Sequence, residues 1–79
     1  MTVRELQKVF ISSCVITETV ELGGVDTFGG KWIRIDELYN GHLGKLQDAG
    51  LLNREILMIM NISGGTSRQG IPFLEITLK

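Results

Sequence analysis

The chain has 79 residues and a net charge of −1, with 43% hydrophobic and 22% charged residues, which is the composition of one soluble globular domain. A single cysteine excludes an intrachain disulfide, and with only one cysteine and one histidine we expect no four-ligand metal site. The eight basic residues are spread along the chain and offset by nine acidic ones, so we do not expect nucleic acid as the main partner. No apolar run approaches the roughly 18 residues that a membrane span needs, so we expect no membrane either. The lone thiol indicates a cytoplasmic protein.

The N-terminus has the pattern of a capped helix. Thr2 is placed to be the N-cap, and Glu5 follows at the capping-box spacing. Apolar residues then recur at helical spacing, at Val3, Leu6, Val9 and Phe10. These features predict a helix that packs one apolar stripe on a sheet.

A β-hairpin is predicted next. The segment from Cys14 to Leu22 is rich in β-branched residues and alternates in polarity, which is typical of a strand. Glu18 interrupts its apolar face, so we expect a bulge or an edge position there. A glycine-rich loop over residues 23–30 leads to a second strand, Lys31 to Ile35, that pairs with the first.

Short helical segments are predicted in the middle of the chain. Asp36 is placed to cap a helical turn beginning at Glu37, and Asn40-Gly41 offers a left-handed stop. A second short helical segment lies between Gly44 and Gly50, with Gly50 as its C-terminal cap. Its inward-facing residues are Leu43 and Leu46.

The C-terminal part predicts a second hairpin. Residues from Glu55 to Ile62 are apolar on both faces, which indicates burial on both sides. The last strand, from Ile71 to Leu78, alternates, and Pro72 is expected at an edge or at the beginning of the strand. One face of this strand carries Leu74, Ile76 and Leu78.

The order α-β-β-α-β-β predicts an α+β fold in a single domain, residues 1–79. We expect a small antiparallel sheet of three to four strands, with the N-terminal helix and the short helical turns on one face. Helices in so small a domain can cover only one face, so the two-sided strand from Ile56 to Ile62 predicts a homo-oligomer. The alternative is that the short helices wrap further around the sheet.

No catalytic or metal-binding constellation is predicted, and no cofactor. His42 is the only histidine, so neither a triad nor a facial metal set can be built around it. Cys14 has no local group that would stabilise a thiolate, so we expect a buried, inert cysteine. Asp36 and Glu37 are adjacent in sequence and would diverge on a helix.

One loop is rich in groups that bind anions. Between residues 64 and 70, glycines allow backbone N–H groups to converge, and hydroxyl and guanidinium donors are added. The residues predicted to bind a ligand are Gly65, Thr66, Ser67 and Arg68, together with Arg34. A long hairpin tip explains the same composition, so both interpretations stand.

Aromatic residues suggest a protein-binding surface. Trp32 and Arg34 share one face of the second strand, where they could stack a base or anchor a partner. Ordinary core packing of Trp32 is the alternative. The residues predicted to bind a partner are Phe28, Trp32 and Tyr39.

The opening Met1-Thr2-Val3-Arg4-Glu5-Leu6 resembles the start of many short proteins encoded by phages and mobile elements. Those proteins also begin with a capped helix and end with a hairpin similar to Leu52–Leu78. The resemblance carries over no functional residue, but it implies an origin class that includes inhibitors of bacterial immunity, such as anti-CRISPR proteins and sponges for cyclic-nucleotide signals.

The resulting hypothesis is a non-enzymatic phage accessory protein that counters immunity in the cytoplasm of its bacterial host by binding. Two mechanisms remain open: sequestration of a nucleotide-type signal, and blockade of a host defence protein. The alternative function is a structural or assembly protein of a phage or mobile element.

Overall fold

The computed structural model describes residues 1–62 and 73–79 of the chain. The elements run in the order α1 (Val3–Gln7), β1 (Ser13–Val25), β2 (Lys31–His42), a 3₁₀ turn (Leu43–Lys45), α2 (Ala49–Leu52), β3 (Ile56–Ile62) and β4 (Phe73–Leu78). Four strands form one sheet in the order β2-β1-β4-β3. The predicted α+β class and order of elements are confirmed.

The sheet is mixed rather than antiparallel throughout. Both predicted hairpins are present, β1 with β2 and β3 with β4. The two hairpins join through a parallel pairing of β1 with β4, which runs from Cys14 opposite Leu74 to Glu18 opposite Leu78. β4 is therefore an interior strand, and it begins directly after Pro72, which lies outside the described residues.

The capping box of α1 is confirmed. The Thr2 hydroxyl accepts from the Glu5 backbone N–H at 3.2 Å, and the Glu5 carboxylate accepts from the Thr2 backbone N–H at 3.0 Å. The apolar stripe predicted a longer helix, but α1 ends at Gln7. Val9 consequently leaves the buried face and is exposed.

Glu18 does not cause a bulge in β1. The register shift lies between Ile16 and Thr17, where Leu38 of β2 is the extra residue. The Glu18 carboxylate instead pairs with Arg54 at 2.9 Å, and both side chains are half-buried. This ion pair accounts for an acidic residue on the side of β1 that carries the core.

The helical turn predicted at Glu37 is wrong. β2 continues to His42, with Glu37 paired to Thr17 and Gly41 paired to Cys14 of β1. No left-handed stop occurs at Asn40-Gly41, since neither residue has a positive φ. The Asp36 carboxylate accepts from the Arg34 guanidinium instead of capping a helix. Pairing along the long strand β1 overrides these local signals.

The second short helix is also shifted from its predicted position. Its N-cap is Asp48, whose carboxylate accepts from the Gly50 N–H at 2.8 Å. Gly50 therefore lies inside α2 instead of ending it. Leu43 and Leu46 are buried, as predicted, although they lie in and just after the 3₁₀ turn.

The core lies between one face of the sheet and the short helical pieces. Cys14, Ile16 and Ile76 are fully buried at the centre of the sheet. The Gln7 side-chain amide donates to the carbonyls of Leu43 and Leu46, at 2.8 and 2.9 Å, which ties α1 to the 3₁₀ turn. Among the residues whose burial the structure describes, the cluster comprises Val3, Leu6, Cys14, Ile16, Leu43, Leu46, Leu52, Ile76 and Leu78.

The β1–β2 hairpin extends beyond this core. β4 pairs with β1 only as far as Glu18, opposite Leu78. From Thr19 to Ile35, the described residues of the hairpin pair only with one another. We call this projecting segment, residues 19–35, the hairpin arm.

Candidate partner-binding surface

The turn at the end of the hairpin arm is held by Asp26. Its carboxylate accepts from the backbone N–H groups of Phe28 and Gly30, at 2.9 and 2.7 Å. Its own N–H donates to the Gly30 carbonyl at 2.8 Å, and its carbonyl accepts from the Gly29 N–H at 3.1 Å. Gly29 has a φ of +84°, which favours glycine over any residue with a side chain. Four hydrogen bonds therefore fix the turn.

Phe28 projects from this turn into solvent. Its exposed fraction of 96% is the highest among the large hydrophobic residues of the described chain. A ring that is so exposed buries almost no surface within the chain, so it adds almost nothing to the stability of the fold. It lies on a backbone that is already ordered, so binding a partner through this ring would cost little conformational entropy.

Trp32 lies behind the turn, opposite an irregular part of β1. Glu21 pairs with Ile33 and Val25 with Lys31, so residues 22–24 all lie opposite Trp32. Gly23 and Gly24 have φ values of +76° and +84°, which explains why glycines occupy this irregularity. A pocket of about 350 Å³ opens here, lined by Glu21, Gly23, Gly24, Val25, Lys31 and Trp32.

Trp32 is 57% exposed, which excludes the alternative that it is an ordinary core residue of this chain. Ile33 and Ile35 lie on the opposite side of the ribbon and are also more than half exposed. The arm thus presents apolar side chains on both sides. The full set is Leu22, Val25, Phe28, Trp32, Ile33 and Ile35.

Arg34 lies on the same side of β2 as Trp32, as alternation along a strand requires. Its guanidinium donates to both carboxylate oxygens of Asp36, at 2.7 and 3.1 Å. This pairing raises the pKa of Arg34 above its ordinary value. Two of its donors are therefore already engaged within the chain.

The other residues predicted to bind a ligand are Gly65, Thr66, Ser67 and Arg68, and they lie outside the described residues.

Tyr39 lies apart from the other two aromatic residues that we predicted to bind a partner. It is half-buried and packs against the core, and its hydroxyl donates to the His42 carbonyl at 2.6 Å. Phe28 and Trp32 both lie on the arm, whereas Tyr39 pairs with Ile16 in the body of the sheet. The arm therefore brings two of the three together.

The side chains with the greatest chemical reactivity are not gathered into one site. Cys14 is buried in the core, and desolvation by burial raises the pKa of its thiol to about 11. His42 is exposed at the end of β2. Within residues 1–62 and 73–79, no group of three or more His, Cys, Asp or Glu could hold a metal ion.

Sequence reasoning missed four apolar residues of the arm, Leu22, Val25, Ile33 and Ile35. Their exposure follows from the length of the hairpin, since β4 is too short to pair with the far half of β1. One signal was present in the sequence: Leu22 and Val25 flank the Gly23-Gly24 pair, so the apolar run continues across a turn signal.

No protein-family model, curated protein or solved structure significantly matches this chain. In the part of the chain that the structure describes, there is no helix with the length and apolar character needed to cross a membrane.

Proposed function

We propose that this protein is a non-enzymatic binding protein that blocks a partner protein through its hairpin arm. The observation that carries the proposal is Phe28, an almost fully exposed aromatic residue on a turn fixed by four hydrogen bonds. Aromatic anchors of this kind contribute a large share of the binding free energy at protein interfaces.

The charges of the arm favour a protein partner over a nucleotide. Lys31 lies 3.5 Å from Glu21, and Arg34 is paired with Asp36. These pairs offset the positive charge that a phosphate would need. The groups left for recognition are apolar side chains, whose burial drives protein association. The described residues of the arm therefore support blockade better than sequestration of a nucleotide signal.

The class of partner that we propose follows from the resemblance of the N-terminus to phage proteins. On that basis the target is a defence protein in the cytoplasm of a bacterial host. The hairpin arm would cover a functional surface of that protein, in the manner of an inhibitor.

Site-specific cross-linking tests the proposed surface. A photoreactive phenylalanine derivative at position 28 should cross-link one host protein in a bacterial lysate. The same derivative at position 9 is the matched control, because Val9 is 80% exposed and lies outside the arm. Equal cross-linking from both positions would contradict a role for the arm.

Binding to the purified cross-linked protein gives the quantitative test. Phe28→Ala should weaken the affinity by about tenfold or more, because the side chain is lost without loss of fold. Val9→Ala should bind as the wild type does. The blockade proposal fails if Phe28→Ala retains wild-type affinity, or if the wild type does not inhibit the activity of the purified partner.

A further inference from the structure

β3 is an edge strand with a largely unpaired outer side. Its inner side pairs with β4. On its outer side, the Ile56 N–H donates to the Met1 carbonyl at 2.8 Å, and the preceding Arg54 carbonyl accepts from the Val3 N–H at 3.1 Å. From Leu57 onward, no other strand among the described residues pairs with this side.

The exposed edge is unusually apolar. Leu57, Met58, Ile59 and Met60 are between 40% and 60% exposed. Between Ile56 and Ile62 there is neither a charged residue nor a proline. Edge strands of monomeric proteins commonly carry lysine, proline or other features that prevent pairing with another chain. β3 carries neither lysine nor proline over its length, and its one bulge, at Leu57, lies at the beginning of the strand.

A bulge at Leu57 distributes the apolar side chains over both faces. Ile56 pairs with Leu78 and Ile59 with Ile76, so both lie on the side of the core. Met58 pairs with Thr77 and Met60 with Glu75, on the side without helices. Simple alternation would place Ile56 on the same face as Met58 and Met60, but the extra residue reverses the alternation.

We propose that β3 pairs in antiparallel orientation with β3 of a second copy of this chain. The two-fold axis would pass near the middle of residues 57–62 and would join two four-stranded sheets into one sheet of eight strands. The helices of both copies then lie on the same face of the joined sheet.

The composition of the strand favours a second copy as the occupant. Around a two-fold axis each segment meets itself in reverse, so any charged residue near the axis would oppose a like charge. β3 has none, and its sequence Ile-Leu-Met-Ile-Met-Asn-Ile is apolar on both sides of any such axis. Pairing would satisfy the outer backbone groups and cover apolar side chains on both faces.

The open face of the sheet argues against stacking of two sheets face to face. Along the centre of that face lie Thr17, Thr77 and Glu75. Stacking would remove the Glu75 carboxylate from water opposite another sheet, which is costly without a cationic partner. Pairing through the edge leaves this residue in solvent.

This inference goes beyond the proposed function, and it does not depend on it. In the dimer, the two hairpin arms lie at opposite outer edges of the joined sheet and point in opposite directions. Each arm remains free to bind one partner molecule, so the assembly would be bivalent.

Light scattering during size-exclusion chromatography tests the dimer. The wild type should have twice the 8.8 kDa mass of one chain. Met60→Lys should be monomeric, because it places two lysines close together across the axis. Ile35→Lys is the matched control: Ile35 is 64% exposed on the open face of the opposite edge strand, so this variant should remain dimeric. A wild type that is monomeric up to about 100 μM, or an Ile35→Lys variant that dissociates as Met60→Lys does, overturns the proposal.

Amide hydrogen exchange of the wild type tests the same contact without a variant. In the dimer, the outward-facing amides of residues 57–62 should exchange as slowly as those of the interior strand β4. In a monomer they would exchange as fast as those on the outer side of β2, and that result overturns the proposal even if Met60→Lys fails to fold. Phe28→Ala should leave both measurements unchanged, so failure of the arm and failure of the dimer are distinguishable.

Discussion

Cys14 lies in the centre of the core with no exposed surface, and burial raises the pKa of its thiol from 9.0 to about 11. A buried thiol is a weak nucleophile because it is both protonated and inaccessible. We therefore expect that the native protein does not react with a thiol-specific reagent such as dithionitrobenzoate at pH 8, and that the unfolded protein reacts fully. Rapid reaction of the native protein would show that the strand opens readily or that the thiol is not buried.

The same pKa shift makes stability depend on pH. The folded state holds the Cys14 proton more tightly than the unfolded state does. The resulting contribution to the free energy of unfolding is therefore present below about pH 9 and is lost between about pH 9 and 11. Cys14→Ala should show a smaller decrease in the free energy of unfolding across this range. If the free energy of unfolding decreases equally with pH in the wild type and in Cys14→Ala, the pH dependence does not come from the Cys14 thiol.

Thr2 and Glu5 form the second residue-scale feature, the capping box of α1. Hydrogen bonds from the backbone and side chain of Thr2 hold the pKa of Glu5 below its usual value. Thr2→Ala should lower the free energy of unfolding by about 0.5–2 kcal/mol at pH 7. Thr2→Ser should retain most of the stabilisation by the N-cap, because serine also has a hydroxyl. Urea denaturation at pH 7 measures the difference.

The contribution of Glu5 has a defined pH dependence. Because its folded-state pKa is lowered, its stabilisation is present above the unfolded pKa and is lost as the pH falls through the folded value. The gap between Thr2→Ala and wild type should therefore narrow in acid. A gap that stays constant down to pH 3 would mean that the Thr2 hydroxyl does not contribute to the lowered pKa of Glu5.

At the scale of elements, the hairpin arm separates function from stability. Asp26 fixes the turn that carries Phe28, and none of the described core residues lies in the arm. Asp26→Ala should therefore leave the unfolding midpoint nearly unchanged while it accelerates amide exchange at Phe28 and Gly30 by about tenfold or more. Asp26→Asn is the control, since its side-chain oxygen can still accept both bonds. Unchanged exchange in Asp26→Ala would show that the glycines alone hold the turn.

The elements also show where sequence patterns were sufficient. The capping box of α1 and the strands β1 and β4 follow from residue spacing, because each pattern acts within a few neighbouring residues. The helical turn at Glu37 failed because the same residues also fit a strand, and β1 offers a partner for that strand. Propensity is weak beside the hydrogen bonds of a paired strand.

At the scale of the whole molecule, the proposed dimer couples stability to protein concentration. Dissociation accompanies unfolding, so dilution favours the unfolded chain. The midpoint of thermal unfolding should rise by roughly 5 °C for each tenfold increase in concentration of the wild type. Met60→Lys should show no such dependence. A concentration-independent midpoint in the wild type would contradict a dimer in which folding and association are linked.

The candidate surface was only partly predictable. Phe28 and Trp32 were identified from their residue types, and both lie on the arm. Tyr39 was grouped with them, but a strand of this length separates residues that are close in sequence. Ile33 and Ile35 resembled ordinary core positions, because sequence alternation does not show how far a neighbouring strand extends.

The sequence by itself determined the α+β class, the order of the elements and the lack of a second cysteine for an intrachain disulfide. These properties depend on local spacing and on counts of residue types. Only the tertiary structure decided that β1 and β4 run parallel, that β3 is an edge strand and that the first hairpin projects beyond the core. Those properties depend on pairings between residues about 60 positions apart, such as Cys14 with Leu74, and such long-range pairings leave no periodic signal in the chain.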